Sequence, residues 1–166
     1  MMQITSEHNK VTIPADRQTW DGEIATYWWE DGILVSLSKG TKRTVESISK
    51  NIALVKQITN NHPVPLLIYL ADSPVPDKQT RKFSTEQLPV IYKAMAMVAK
   101  PGLSKLIINI LFRFKQPPIP MKSFTNNEEA KEWLKEFVWG VAHANYKQTI
   151  KTTDLTNFGG LSNLAA

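Results

Sequence analysis

The amino-acid sequence predicts an α/β domain in which helices connect the strands of a mixed β-sheet. An Asp-Gly pair between two apolar segments is typical of an antiparallel hairpin. A continuous apolar run at residues 66–70 is typical of a strand that is buried on both faces. Helical patterns flank this run, and parallel strands need such crossovers. We therefore expect an N-terminal antiparallel hairpin followed by βα crossovers.

Composition places the chain among globular proteins, because 42% of its 166 residues are apolar and 21% are charged. The chain has no cysteine, which excludes disulfides, thiolate metal sites and a cysteine nucleophile. The net charge is +5, but the basic residues are scattered, so we expect a solvated surface and no nucleic-acid partner. No segment has the pattern of a signal peptide or a membrane span, and we expect a cytoplasmic protein.

Three regions are expected along the chain. Residues 1–22 are polar and are predicted to form an N-terminal segment, with one short strand at 11–13 before Pro14. The α/β domain is predicted to cover residues 23–140. Apolar density falls after Gly140, which predicts a C-terminal tail at residues 141–166.

The hairpin strands are predicted at residues 24–30 and 33–39, with Asp31 and Gly32 in the turn. In the second strand apolar residues alternate with other residues, which gives the strand one clearly apolar face. The residues of that face are Ile33, Val35 and Leu37.

The middle of the chain alternates helix and strand. Apolar residues recur every three or four positions in residues 44–60, which predicts an amphipathic helix. The buried strand follows at 65–71, and the loop after it ends at Asp77, a good N-cap. A short helix is expected after Asp77, followed by a second helical piece that Pro89 interrupts, because proline lacks the N–H that a continuous helix uses. The expected pieces are residues 77–83 and 84–92.

The last part of the domain is predicted as a strand at residues 94–99, a helix at 103–115 and a strand at 121–124. Thr125 and Glu128 have the spacing of a capping box, which predicts the start of a final helix. Its inner face is expected to contain Ala130, Trp133, Leu134 and Phe137.

These segments follow one another in an order that is similar to a known family. The residues concerned are Trp28-Trp29, Asp31 to Leu34, Leu66 to Leu70, Ala94 to Val98, Leu106 to Asn109, Pro120 to Thr125, Glu129-Ala130 and Trp133-Leu134. Over about residues 23–138 the chain resembles the SpoIIAA-like branch of the STAS superfamily. The resemblance implies the STAS fold, which is itself similar to the lipid-binding CRAL-TRIO fold. It also implies a regulatory protein-interaction module like the anti-sigma-factor antagonists.

In that family a kinase phosphorylates a serine at the start of the helix after the central strand. The motif there is an aspartate followed by two serines and a glycine. The matching positions here are Asp77, Lys78, Gln79 and Thr80. A lysine cannot accept this phosphate, so the resemblance implies partner binding without the phosphorylation switch.

The loop after the central strand is the first candidate surface. Asp72 and Asp77 bracket it, at the strand end where α/β sheets often bind ligands, although both are also ordinary turn and cap residues. Lys78 and Arg81 would attract an acidic protein partner. The three histidines are isolated, and no paired carboxylates or phosphate loop accompany them. We therefore expect no catalytic residues, metal or cofactor, and a chain that is not an enzyme.

The predicted helix at residues 103–115 is the second candidate surface. One of its faces fills the core, but Ile108 and Phe112 lie beyond that face, beside Lys105 and Arg113. A helix that is apolar nearly all round needs a cover, which a terminal segment, a second copy in a homodimer, or a lipid or membrane surface would supply. The alternative to a protein-interaction module is therefore a protein that binds a lipid or a small apolar ligand.

Overall fold

A computed structural model describes residues 11–99, 102 and 116–138 of the chain. Its centre is a six-stranded mixed sheet in which the strands lie side by side in chain order. The strands are β1 (Thr19–Asp21), β2 (Ala25–Glu30), β3 (Ile33–Ser38), β4 (Val64–Leu70), β5 (Tyr92–Ala99) and β6 (Met121–Phe124). The helices in the described part are α1 (Val45–Ile58), α2 (Lys78–Ile91) and α3 (Asn127–Val138). Strands β1 to β3 pair antiparallel and β3 to β6 pair parallel, which confirms the α/β class and the N-terminal hairpin.

The turn between β2 and β3 has the backbone that its dipeptide predicts. Asp31 and Gly32 have φ angles of 50° and 80°, and both central residues of a type I′ turn require a positive φ. A contact with a residue far away in the sequence also requires glycine at position 32. A Cβ at Gly32 would lie 2.8 Å from Cγ1 of Val138, at the end of α3. The turn therefore packs against the last helix.

The sheet begins earlier than predicted. β1 lies within residues 1–22 and pairs with β2, with Trp20 opposite Tyr27. The Thr26 hydroxyl also donates to Asp21 Oδ1 at 2.8 Å. A three-residue strand is too short to produce a periodic pattern, so the sequence did not predict it. The short strand expected at residues 11–13 is absent, and Val11 packs instead against the core beneath α3.

Helix α1 forms as predicted because both of its ends have local signals. The Thr44 hydroxyl accepts a hydrogen bond from the Ser47 backbone N–H at 3.1 Å, and Ser47 Oγ accepts from the Thr44 N–H at 2.9 Å. This is a capping box with serine in the third helical position. Asn60 and Asn61 then adopt φ angles of 51° and 60°, a conformation that asparagine tolerates and that ends the helix.

The expected break in α2 is wrong, because α2 is one helix from Lys78 to Ile91 with Pro89 inside it. Proline costs a helix one hydrogen bond, and here the cost falls in the last turn. Leu88 and Ile91, on either side of Pro89, pack into the core beneath α1. Their burial holds the final turn in place.

The predicted capping box of α3 is also wrong by one residue. The helix begins at Asn127, and Asn126 Oδ1 accepts from the Glu129 backbone N–H at 2.9 Å. Asparagine is as good an N-cap acceptor as threonine. The spacing of Thr125 and Glu128 therefore did not identify the residue that caps the helix.

Two cores lie on opposite faces of the sheet. Helices α1 and α2 cover the first core, which includes Ile52 and Leu66, and α3 covers the second, which includes Leu67 and Leu134. Adjacent residues of β4 therefore enter different cores, which confirms its predicted central position. The tryptophan pair divides in the same way, since Trp28 is buried beneath α3 and Trp29 packs against the other core.

An ion pair fastens α3 to the sheet. Glu30, at the end of β2, accepts from Trp28 Nε1 at 2.7 Å and pairs with Lys131 on α3. Burial, the largest single influence, would raise the pKa of Glu30, but the hydrogen bonds from Lys131 and Trp28 and the nearby positive charge outweigh it. The pKa of Glu30 is therefore lowered, and its charged form stabilises the folded state.

Substitution of Gly32 tests the contact between the hairpin turn and α3. We expect Gly32→Ala to destabilise the fold by about 1–2 kcal/mol through the positive φ alone, with a further loss from the Val138 clash. Val138→Ala should recover the steric part and leave the backbone part. Thermal unfolding of the two single variants and the double variant measures this coupling. Strictly additive effects would contradict the contact.

The ion pair predicts a pH dependence. The folded-state pKa of Glu30 lies below its ordinary value of 4.5, so its contribution is present above about pH 4.5 and is lost as the pH falls through the lowered pKa. Glu30→Gln should therefore lower the melting temperature at pH 7, by the equivalent of about 1 kcal/mol, and should converge with the wild type once the pH falls below the lowered pKa. Glu132→Gln is the control, because Glu132 pairs with Lys135 on the exposed surface. An equal effect of the two substitutions at pH 7 would refute this role of Glu30.

Candidate functional site

The loops after β3 and β4 form the candidate site. Because β3 and β4 are parallel, their carboxyl ends lie at the same edge of the sheet, and helices α1 and α2 begin there. We call residues 39–44 and 71–81 the carboxyl edge. The two loops approach closely, since a Cβ at Gly40 would lie 2.8 Å from the Asp72 carbonyl oxygen. Such edges are where α/β sheets commonly bind ligands.

Arg43 links the two loops. Its side chain is half-buried, its Nη1 donates to Ser73 Oγ at 2.9 Å, and its Nη2 donates to Ser38 Oγ. Among the described residues no carboxylate forms an ion pair with Arg43. Burial lowers the pKa of this guanidinium, although arginine remains charged at every physiological pH. The carboxyl edge therefore holds a fixed cation whose partners in the described part of the chain are two neutral hydroxyls.

A buried polar group, Tyr27, lies within electrostatic reach of Arg43. The Tyr27 hydroxyl donates to Asn51 Oδ1 at 2.8 Å, and burial raises the pKa of both Tyr27 and Tyr92. Both tyrosines are therefore neutral at physiological pH. They give Arg43 no negative charge.

The predicted residues of the loop after β4 have different roles. Asp77 is the N-cap of α2, and its Oδ1 accepts from the Thr80 backbone N–H at 2.7 Å. This backbone hydrogen bond, with a second one from the Thr80 side chain, lowers the pKa of Asp77. Arg81 Nη1 donates to the Pro76 carbonyl at 3.1 Å, whereas Asp72 and Lys78 are exposed. Asp77 and Arg81 thus shape the loop, and Asp72 and Lys78 face solvent.

The other predicted surface is not described by the structure. Lys105, Ile108, Phe112 and Arg113 lie outside the described residues, as does the predicted tail at 141–166. Their roles stay predictions.

Sequence reasoning missed Ser38, Arg43, Ser73 and Val75. Val75 is 59% exposed and lies between Pro74 and Pro76, a pattern that could have marked a rigid loop presenting an apolar side chain. Arg43 had no comparable signal. Its contact with Ser73 joins residues 30 positions apart, and a contact at that distance leaves no local pattern.

The chemistry available at the carboxyl edge is anion binding. It contains five basic side chains, at Lys39, Lys42, Arg43, Lys78 and Arg81, and two acidic ones, at Asp72 and Asp77. Across residues 11–99, 102 and 116–138 no three histidine, aspartate or glutamate side chains are grouped so that they could hold a metal ion. No helix in the same part of the chain has the length and apolar character needed to cross a membrane.

Gly40 tests whether the two loops must touch. Gly40→Ala would press a methyl group against the Asp72 carbonyl, so we expect a loss of about 1–3 kcal/mol as the loops separate. Thermal unfolding measures the loss, and NMR shifts at Ser73 report the displacement. Thr41→Ala in the same loop is the control, since Thr41 is exposed and its truncation should change stability by less than about 0.5 kcal/mol. Equal effects of the two substitutions would contradict the close approach.

A family described as a domain of unknown function, DUF7793, matches residues 27–138. No curated protein and no solved structure matches the chain. The match extends from within β2 to the end of α3 and includes the whole carboxyl edge. Because it covers more than half of the sequence, the chain belongs to the DUF7793 family.

Proposed function

We propose that this domain is a non-enzymatic regulatory module that binds an acidic protein partner at its carboxyl edge. The observation that carries the proposal is the exposure of Val75 in a loop of the carboxyl edge, where basic residues outnumber acidic ones. An apolar side chain surrounded by charge is the usual arrangement of a protein interface, where the apolar residue is buried and the charges form the rim.

The loop around Val75 suits a role in recognition. Proline on both sides restricts its backbone, so little conformational entropy is lost when a partner binds. Asp77 holds the end of the loop through the N-cap of α2, and Arg81 holds the Pro76 carbonyl. Val75 is therefore presented by a loop that is already ordered.

Charge selects the kind of partner. Asp77 is engaged with α2, and Lys39 is engaged by Asp21 at 2.7 Å. Lys42, Arg43 and Lys78 form no ion pair within the described part of the chain, and they leave the carboxyl edge positive. A partner with an acidic patch would be steered toward this edge and would bind more weakly as salt increases.

The resemblance to STAS proteins supports the regulatory part of this proposal. It directs attention to the same loop, and the hairpin followed by βα crossovers is compatible with the STAS architecture that we propose. By that resemblance Lys78 matches the position of the phosphorylated serine, so binding here would not depend on that phosphate. A cytoplasmic location is part of the same proposal.

The sequence suggests two alternatives, which are lipid binding and homodimer formation. Both depend on Ile108 and Phe112, which lie outside the described residues. The exposed Val75 favours a protein partner, because an acidic protein surface matches both its apolar side chain and its basic neighbours.

Charge reversal tests the proposal. We expect Lys78→Glu with Arg81→Glu to reduce capture of the partner from a native extract about tenfold or more, and the remaining capture should depend little on salt. Quantitative mass spectrometry of the captured proteins measures the change. Val75→Asp should remove the same proteins, since it places a charge at the centre of the interface.

The matched control is Lys56→Glu with Lys135→Glu, which changes the net charge equally but lies outside the carboxyl edge. If the control and the test variants lose the same proteins to the same extent, net charge alone explains the capture. If the test variants capture everything that the wild type captures, the proposed surface is wrong.

A further inference from the structure

Carboxylates hold two of the partly buried cations in the described part of the chain. Lys131 pairs with Glu30, and Lys39 pairs with Asp21. Each pair offsets the cost of moving a charge out of water. Arg43 is also half-buried, but its two hydrogen-bond partners are the neutral hydroxyls of Ser38 and Ser73.

The acidic residues of the carboxyl edge do not neutralise Arg43, and Glu46, the nearest acidic residue along the chain, pairs with Lys50. Asp77 is used by the N-cap of α2, and Asp72 forms no ion pair among the described residues. A guanidinium has five N–H donors, and Arg43 directs two of them at hydroxyl oxygens. Its other three N–H groups have no acceptor in the described part of the chain.

The two hydroxyls also keep a donor each. Ser38 and Ser73 accept from Arg43 through their oxygens, and neither O–H has an acceptor among the described residues. Ser38 is only 6% exposed, so water satisfies its O–H poorly. Unused donors from three side chains therefore meet at one place on the carboxyl edge.

We propose that Ser38, Arg43 and Ser73 form a site for one carboxylate, supplied by an acidic side chain of the protein partner. This inference rests on the proposed function and names the group that the carboxyl edge recognises. The planar fork of Arg43 would hold the carboxylate by two parallel hydrogen bonds, and the hydroxyls would hold the fork in place.

Charge balance favours a carboxylate over a phosphate group. Arg43 carries one positive charge, and a carboxylate carries one negative charge, so the pair is neutral at a half-buried position. A phosphate dianion would leave an excess negative charge there, which is costly where solvent is restricted. The exposed Lys42 and Lys78 lie in solvent, where charge is screened more strongly.

The test uses the isolated chain and sodium acetate as the probe. Acetate is titrated at constant ionic strength against chloride, and the NMR signal of the Arg43 side-chain Nε–H is followed. We expect a saturable shift with a dissociation constant in the millimolar range, roughly the strength of one charge-assisted pair. Arg17 is the internal control, because it already contacts Asp16 and the Trp29 carbonyl, and its signal should not saturate.

Variants separate the contributions of the three side chains. Ser73→Ala should weaken acetate binding about fivefold, because it removes one hydrogen bond that positions the fork. Arg43→Lys keeps the charge but loses the fork, so the saturable effect of acetate on neighbouring backbone signals should disappear. If Arg43→Lys does not fold, Ser73→Ala decides the question, since it leaves the guanidinium in place.

The absence of saturation in the wild type, or unchanged acetate affinity in Ser73→Ala, would overturn the carboxylate site. Tighter binding of inorganic phosphate than of acetate would overturn the choice of carboxylate. The proposed function fails separately, if Val75→Asp and the Lys78 and Arg81 reversals leave capture intact while acetate still binds Arg43. If those variants lose capture but acetate does not bind the wild type, the proposed interface stands and the carboxylate site is wrong.

Discussion

The burial of β4 on both faces dictates how the helices and the other strands are arranged. Leu66 and Leu67 point into different cores, so apolar layers must cover both sides of the sheet. Helices α1 and α2 supply one layer and α3 supplies the other. The hairpin and β5 flank β4 within the sheet, so the most apolar strand has no exposed edge.

This arrangement also creates the carboxyl edge. A helix that connects two parallel strands begins near the end of the first, so the loops before α1 and α2 meet above β3 and β4. Polar and basic residues collect there because loops cannot enter the core. The absence of a side chain at Gly40 lets the two loops come close together. Arg43 and Ser73, one from each loop, form a hydrogen bond between them. The sheet topology therefore produces the arrangement of donors.

The candidate site was only partly predictable. Asp77, Lys78 and Arg81 could be chosen because they follow the central strand directly, and α/β sheets use that position for binding. Arg43 precedes the N-cap of α1, and nothing in the neighbouring residues distinguishes it from a solvated surface arginine. Its partner Ser73 comes from another loop, so only the pairing of β3 with β4 brings the two side chains together.

Features that depend only on neighbouring residues can be read from the amino-acid sequence. Asp31-Gly32 specifies the hairpin turn because few residues accept two successive positive φ angles. The spacing of apolar residues in α1 and the continuous run in β4 likewise determine which side chains must be buried. The fold, in contrast, sets the pairing of β1, the continuity of α2 through Pro89 and the surroundings of Arg43. Each of these depends on contacts between residues far apart in the chain, and such contacts exist only after the two cores have formed.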